Sequence, residues 1–383
     1  MIYKNNKELS LLLQFTHPAD NQDCKKENFE FIDWNKFFKI AVSNNLILLV
    51  YPCIKKNENI PDNILLKHKQ YYYSIIARNM LFSNELIKII SLFDTNNIRS
   101  LPFKGPVLSY FVYGSIFNRF FADLDILVSE KDLWKAYNLL IDFGYSPLLE
   151  LNENSIFQYV CTEHEMPFEK KGFGIVELHW ELSSMYLNFP VKLEKVKQYI
   201  INSTYENNYI NTLIDEFLIV YLCIHGNKHQ WGAIEQITSI SWIVHNSKTM
   251  DWDEVFKLAN ELQCVTMLLV GLDLTRKLYD IVLPEMVMGF LNDNLKIDCL
   301  SDAIIESKFN YKPDLIEQTK RFDLYHLNIR DGFFDKTRYL FRLVFMPTRE
   351  DWNVFNLSRR FLFLYWVLRP ARLAAEFIKL KIL

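Results

Sequence analysis

Glycine and proline are scarce, at 10 and 12 residues in a chain of 383. Such sparse punctuation leaves little room for a turn-dense architecture and predicts a mainly helical protein. Charge of one sign is not in excess either. Lys and Arg number 43 against 46 Asp and Glu, a formal net charge of −3. No global positive field therefore draws in nucleic acid or anionic lipid, and any polyanion site must be local. The six cysteines, Cys24, Cys53, Cys161, Cys223, Cys264 and Cys299, form no C-x-x-C and no Cys/His cluster at zinc spacing. Scattered reduced core thiols of a cytoplasmic protein are the expectation. The most membrane-like run, Phe361 to Leu368, is only eight residues long, well short of the ~20 that a spanning helix needs. The N-terminus, MIYKNNKELSLLLQF, lacks a small-residue cleavage site, which argues against a signal peptide.

Aromatic residues are plentiful, with 30 Phe, 20 Tyr and 8 Trp, and the length predicts two or three domains. Residues 1–95 carry helical spacing in WNKFFKIAVSNNLILLVYPCI and YYYSIIARNMLFSNELIKIISLF, broken at KNEN and Pro61. The period changes at Ile98. SLPFKG is a short apolar run, and PVLSYFVYG reads as a helix with Pro106 in its first turn and Gly114 just past its end. ADLDILV follows as a strand, then a helix capped by Ser129 with Asp132 as its capping-box acid, ending at Gly144. EHEMPFEK and GIVELHWEL, joined by KKGFG, read as a β-hairpin. From about residue 205 helical signals return, with two helices expected on either side of MDWDEVF. The expected fold is α+β: a small mixed sheet with flanking helices over 96–200, between helical regions at 1–95 and 201–383.

Asp123 and Asp125 stand at i and i+2 in an apolar strand. They share one face, two rises of about 3.3 Å each apart, while Leu124, Ile126 and Val128 point the other way. Two adjacent carboxylates on a half-buried strand repel each other and cost several kcal/mol in desolvation, so a cation should hold them. In the hairpin Glu177 and His179 share one face, which displays a third carboxylate on a neighbouring strand. His164 and His179 lie on adjacent arms of that hairpin and could line the same cleft.

Lys104-Gly105, Tyr113-Gly114, Arg119 and Asp123-Leu-Asp125, in that order, resemble the K-G … Y-G … R … D-x-D pattern of bacterial nucleotidyltransferase family proteins in the polymerase β-like superfamily. Glu177-Leu-His179-Trp180 and the spacing of His225, His229 and Trp231 extend the resemblance, as does LYWVLRPARL near the C-terminus. Together these cover the chain from about Trp34 onward. The resemblance implies a nucleotidyltransferase core and an enzyme that moves a nucleoside monophosphate from an NTP to a hydroxyl-bearing acceptor, releasing pyrophosphate. It further implies two Mg²⁺ ions at Asp123, Asp125 and Glu177, with Lys104, Gly105, Arg119 and His179 on the nucleotide side. His225, Lys228 and His229 share a helical face and have three readings: triphosphate or acceptor contact, helix packing, or zinc ligation that lacks an H-E-x-x-H pattern and a third ligand.

Two departures stand out. Proline follows Gly105 where many relatives have Gly or Ser, removing one backbone N–H from the phosphate side. The third acid is Glu where Asp is also common. Two rivals to the enzyme reading are a catalytically silent nucleotide- or partner-binding module, and a toxin-like enzyme acting on tRNA or protein. Arg359, Arg360, Arg369, Arg372, Lys379 and Lys381 flank the aromatic run near the C-terminus. That segment either lies on a membrane surface as a basic amphipathic helix or packs its aromatics inward and leaves its charges in water, the second being favoured.

Overall fold

A computed structural model describes residues 6–19, 32–55, 60–149, 153–183, 191–309, 324–355, 357 and 359–382. The KNEN segment and Cys24 lie outside the described residues, as do the side chains of Arg359, Lys379 and Lys381.

The architecture is mixed α+β. The first helices are α1 (Lys7–Phe15), α2 (Trp34–Ser43), α3 (Ile47–Ile54) and the long α4 (Asp62–Thr95), followed by β1 (Ser100–Pro102), α5 (Gly105–Tyr113) and β2 (Asp123–Val128). Next come α6 (Leu133–Asp142), β3 (Ser146–Pro147), α7 (Glu153–Thr162), β4 (Glu165–Lys170), β5 (Gly174–His179), α8 (Leu193–Val196), β6 (Ile200–Tyr205) and β7 (Asn208–Leu213). The remainder is helical: α9 (Asp215–Lys228), α10 (Ile234–Asn246), α11 (Trp252–Glu261), α12 (Val265–Tyr279), α13 (Glu285–Leu291), α14 (Leu295–Phe309), α15 (Leu324–Asn328), α16 (Phe333–Phe345), α17 (Arg349–Phe355) and α18 (Tyr365–Ile382). The chain forms two compact units, one from Met1–Lys88, Phe103–Leu124 and Tyr199–Arg330, the other from Ile89–Pro102, Asp125–Gln198 and Asp331–Leu383.

In the first unit α9 is buried on every side from Phe217 to Ile224, as a helix apolar all round must be. Helix α5 follows its expected punctuation, with Pro106 in the first turn and Gly114 closing it in the left-handed region at φ 71°. Two expectations fail here. MDWDEVF does not separate two helices; it opens α11, because Asp251 accepts the Glu254 N–H as an N-cap. And the segment from residue 200 is a hairpin, β6 paired antiparallel to β7, before any helix begins. Glu206 and Asn207 turn it with positive φ of 45° and 63°, the signature of a two-residue type I′ loop.

In the second unit the sheet order is β1-β2-β5-β4-β3. β1 pairs antiparallel to β2 with Leu101 opposite Leu127, and β4 to β5 with Glu165 opposite His179. As an inner strand β2 is buried on both faces, Leu127 as fully as Ile126 and Val128, where alternation alone implied one buried face. Ser129 does not cap through its side chain; its hydroxyl donates to Asp132 Oδ2 at 2.6 Å, and a short 3₁₀ turn precedes α6. The C-terminal charges differ most from expectation. Arg369 and Arg372 are neither in water nor on a basic surface. Arg369 Nη1 donates to Asp351 Oδ2 at 2.9 Å and Arg372 Nε to Asp351 Oδ1 at 2.6 Å, all three side chains being buried. The five described cysteines are thiols, but Cys161 and Cys299 are exposed and not in a core. Among the described residues no helix is long and apolar enough to cross a membrane.

Candidate functional site

Lys104 precedes α5 in extended conformation, and Gly105 follows at φ +56°. A β-carbon there would stand 3.1 Å from the carbonyl oxygen of Asp123. Glycine is therefore required twice over, by dihedral and by space. Lys104 Nζ lies 5.4 Å from the centroid of the Phe103 ring. A ladder of rings continues from Phe103 to Tyr221 at 5.5 Å, to His225 at 6.1 Å and to His229 at 4.6 Å. Lys104, His225 of α9 and His229 at its C-cap, distant in sequence from Lys104, are thus joined in one unit, with Lys228 half-buried beside them and His229 exposed. Trp231, fully buried at φ +55°, fills the space over Gly226 and Gly271, where β-carbons would come within 2.5 and 3.0 Å of its ring. It fixes the end of α9 against α12.

Arg119 is held tightly. Its Nε donates to Glu235 Oε1 at 2.7 Å, and Ser239 Oγ donates to the same oxygen at 2.6 Å. Because the Ser239 proton is spent on Glu235, Tyr113, 2.8 Å away, donates to Ser239. Asn79 clamps the approach, its amide donating to the carbonyls of Ile116 at 2.8 Å and Arg119 at 2.9 Å. Burial pulls the Arg119 guanidinium down, but Glu235 and Tyr113 outweigh it and hold it above its ordinary value, with Asp123 contributing. Sequence reasoning missed Glu235, Ser239 and Asn79. Only the placement of an acid in the first turn of α10 hinted at Glu235.

In the other unit, β2 and β5 bring together Asp125, Glu177 and His179. His179 Nε2 lies 3.1 Å from Asp125 Oδ1 and 3.6 Å from Glu177 Oε2. Its Nδ1 faces Glu165 Oε2 at 3.4 Å, and His164 Nε2 approaches that same oxygen at 3.1 Å. Asp125 is 2 % exposed and His179 1 %, whereas the Glu177 side chain is 23 % exposed. Burial works against the charged imidazole, yet hydrogen bonds to Asp125 and Glu177 and the charge of Glu165 prevail, raising His179 to about 9. Asp123, half-buried, opens β2 two residues before Asp125. Glu165 was not singled out from the sequence, since only the hairpin register places it opposite His179.

A mixed α+β chain with paired acids on an inner strand and a glycine-led helix packed against the first of them has the elements of a nucleotidyl-transferring fold. Residues 30–280 match the family model described as uncharacterised nucleotidyltransferase, and the chain belongs to that family. It is accordingly a nucleotidyltransferase, an enzyme that transfers a nucleoside monophosphate. No curated protein matches. Among solved structures, the chain is 16 % identical to a lincosamide antibiotic adenylyltransferase bound to lincomycin, over 36 % of this chain and 83 % of that one, with a TM-score of 0.27. It is 12 % identical to the antibiotic-resistance factor ANT(2'')-Ia in complex with adenylyl-2''-tobramycin, over 47 % and 95 %, TM-score 0.34. It is 16 % identical to an antigenic nucleotidyltransferase-like protein from Paracoccidioides brasiliensis, over 55 % and 96 %, TM-score 0.31.

Proposed function

We propose that the protein transfers a nucleoside monophosphate from an NTP to a hydroxyl-bearing acceptor in a Mg²⁺-dependent reaction. The observation that carries this reading is the convergence of Asp125, Glu177 and His179 Nε2, which sets positive charge between two carboxylates. The donor set fits the metal: Asp123, Asp125 and Glu177 offer hard oxygens, and Mg²⁺ takes one or two carboxylates per ion and completes its shell with phosphate oxygens and water. Bound there, two Mg²⁺ would neutralise the triphosphate and lower the pKa of the acceptor hydroxyl.

The chain's own residues account for the rest. Lys104, Arg119, His225, Lys228 and His229 supply cations and donors for the phosphates, and Gly105 lets the backbone come close. Pro106 removes one amide from that side, which shifts the load onto these side chains. The acceptor oxygen forms a bond to the α-phosphorus, the α–β anhydride bond breaks, and pyrophosphate leaves with the electron pair. The hydroxyl proton passes to Glu177, which is more open than the buried Asp125.

The test is NTP binding by calorimetry with Mg²⁺, followed by pyrophosphate release across hydroxyl acceptors of small-molecule, tRNA and protein classes. Saturable binding and transfer abolished in Asp123→Asn are expected. Absence of saturable NTP binding would overturn the reading and favour a catalytically silent partner-binding module, whereas transfer unchanged in Asp123→Asn would overturn the metal site assigned to the carboxylates.

A further inference from the structure

Beside the carboxylates lies a second cluster of different chemistry. His164 sits in a bend just before β4, and its carbonyl accepts the N–H groups of Trp180 at 3.0 Å and Glu181 at 3.4 Å. Those bonds tie the bend to the end of β5. Successive strand residues face opposite ways, but the bend turns His164 back towards the side chain of Glu165. Glu165 is the direct cross-strand partner of His179. Two buried imidazoles therefore converge on one carboxylate oxygen, His164 Nε2 at 3.1 Å and His179 Nδ1 at 3.4 Å. The donor atoms of the three residues all lie within 4.8 Å of one another.

These separations suit a metal. With bonds of about 2.1 Å, donor atoms around tetrahedral zinc are spaced about 3.4 Å apart. The identity of the donors excludes magnesium, which seeks oxygen in octahedral arrangement, and selects a metal that accepts imidazole nitrogen. The far side of His179 completes the pattern. A histidine that ligates through one ring nitrogen characteristically donates its other N–H to a carboxylate, which fixes tautomer and ring orientation. His179 does this: Nδ1 faces Glu165 Oε2, which His164 also approaches, while Nε2 lies 3.1 Å from Asp125 Oδ1. The Glu165 side chain, 28 % exposed, gives an ion a way in from solvent.

We propose that His164, Glu165 and His179 form a zinc-class transition-metal site, separate from the magnesium carboxylates and joined to them through the imidazole of His179. The site spans a carboxylate and two histidines from a bend and both arms of one hairpin, which is why no zinc spacing is visible in the sequence. Asp125 serves it as an orienting acceptor, so one buried aspartate faces both metals' surroundings. An ion here pins the β4–β5 hairpin and holds the Nε2–H of His179 on Asp125.

The test uses the full chain, stripped with chelator and titrated with Zn²⁺ by calorimetry in excess Mg²⁺, with Co²⁺ as a spectroscopic probe. One equivalent of Zn²⁺ should bind despite the magnesium, and Co²⁺ should give the intense visible bands of a four-coordinate ion. His164→Gln and Glu165→Gln should each lose that equivalent while retaining the wild-type circular dichroism. Asp123→Asn should keep it, and Asp125→Asn should keep it with affinity reduced ~10–100-fold. No saturable uptake by the wild-type chain in excess Mg²⁺ would overturn the proposal, as would unchanged uptake in both folded glutamine variants. The readout is metal stoichiometry, so its failure is distinct from a failure of nucleotidyl transfer.

Discussion

The backbone of Gly105 rests against the backbone of Asp123, so close that one added carbon would stand 3.1 Å from the aspartate's carbonyl oxygen. The residue that starts α5 is thereby held against the backbone of Asp123. Gly105→Ala should lower stability by roughly 1–2 kcal/mol from the left-handed dihedral alone, with the contact adding to it. Gly114→Ala is the control, because its φ of 71° carries the same penalty but nothing lies within 4 Å of the new carbon. Urea denaturation and NTP titration of both should show Gly105→Ala losing more stability and also losing nucleotide affinity, and Gly114→Ala losing stability alone.

Arg119 and Glu235 are both largely buried, at 12 % and 5 % side-chain exposure. Removing one partner of such a pair strands the other charge and costs about 3–5 kcal/mol. Glu235→Leu should therefore be strongly destabilising, whereas the double variant Arg119→Met/Glu235→Leu should recover most of the loss. A double-mutant cycle by chemical denaturation reads the coupling directly; additive losses would mean that the pair is not coupled.

Asp351 anchors Arg369 and Arg372 together. Asp351→Ala should cost about 3–5 kcal/mol, since two guanidinium groups lose their shared carboxylate. Arg360→Ala, by contrast, alters an exposed side chain and should leave the thermal midpoint within about a degree or two. Thermal melts of the two proteins decide it.

His68 stacks on Phe38 at 3.7 Å with the rings 5° from parallel. Burial, with Lys67 adding to it, pulls its pKa down to about 4. The unfolded chain takes up that proton near 6.5, so the stabilising effect of the neutral ring is complete above pH 6.5 and is lost as pH falls towards about 4. His68→Phe keeps the stack and removes the proton site. Its thermal midpoint should fall less steeply between those pH values than the wild type's, and equal slopes would exclude His68 as the source.

What was legible in the sequence follows from range. The alternation around Asp123 and Asp125, the KKGFG loop and the shared face of Glu177 and His179 are short-range signals, and the fold reproduces that hairpin and strand. Glu235 is 116 positions from the arginine it holds, and no local period encodes such a partner. The hairpin over residues 200–213 carries a weak local signal, because its alternating apolar positions are interleaved with Asn, Ser and Thr and it turns on Glu206-Asn207 without a glycine. Periodicity counts Arg369 and Arg372 as polar and so places them in water, whereas the acid that admits them to the interior lies on another helix.

Trp231 ends the H-x-x-x-H-x-W spacing, yet its counterparts are two glycines: Gly226 in the last turn of α9 and Gly271 on α12. The three positions behave as lock and keyhole. A β-carbon at Gly226 would meet the indole at 2.5 Å and evict it, and one at Gly271 would meet Cys223 Sγ at 2.5 Å and press the indole at 3.0 Å, while a smaller residue at 231 leaves a void that a larger residue at 226 could fill. Among homologous chains the three should therefore change as a set, and a search pattern written with both glycines would separate chains that build this helix end from chains that merely repeat two histidines and a tryptophan.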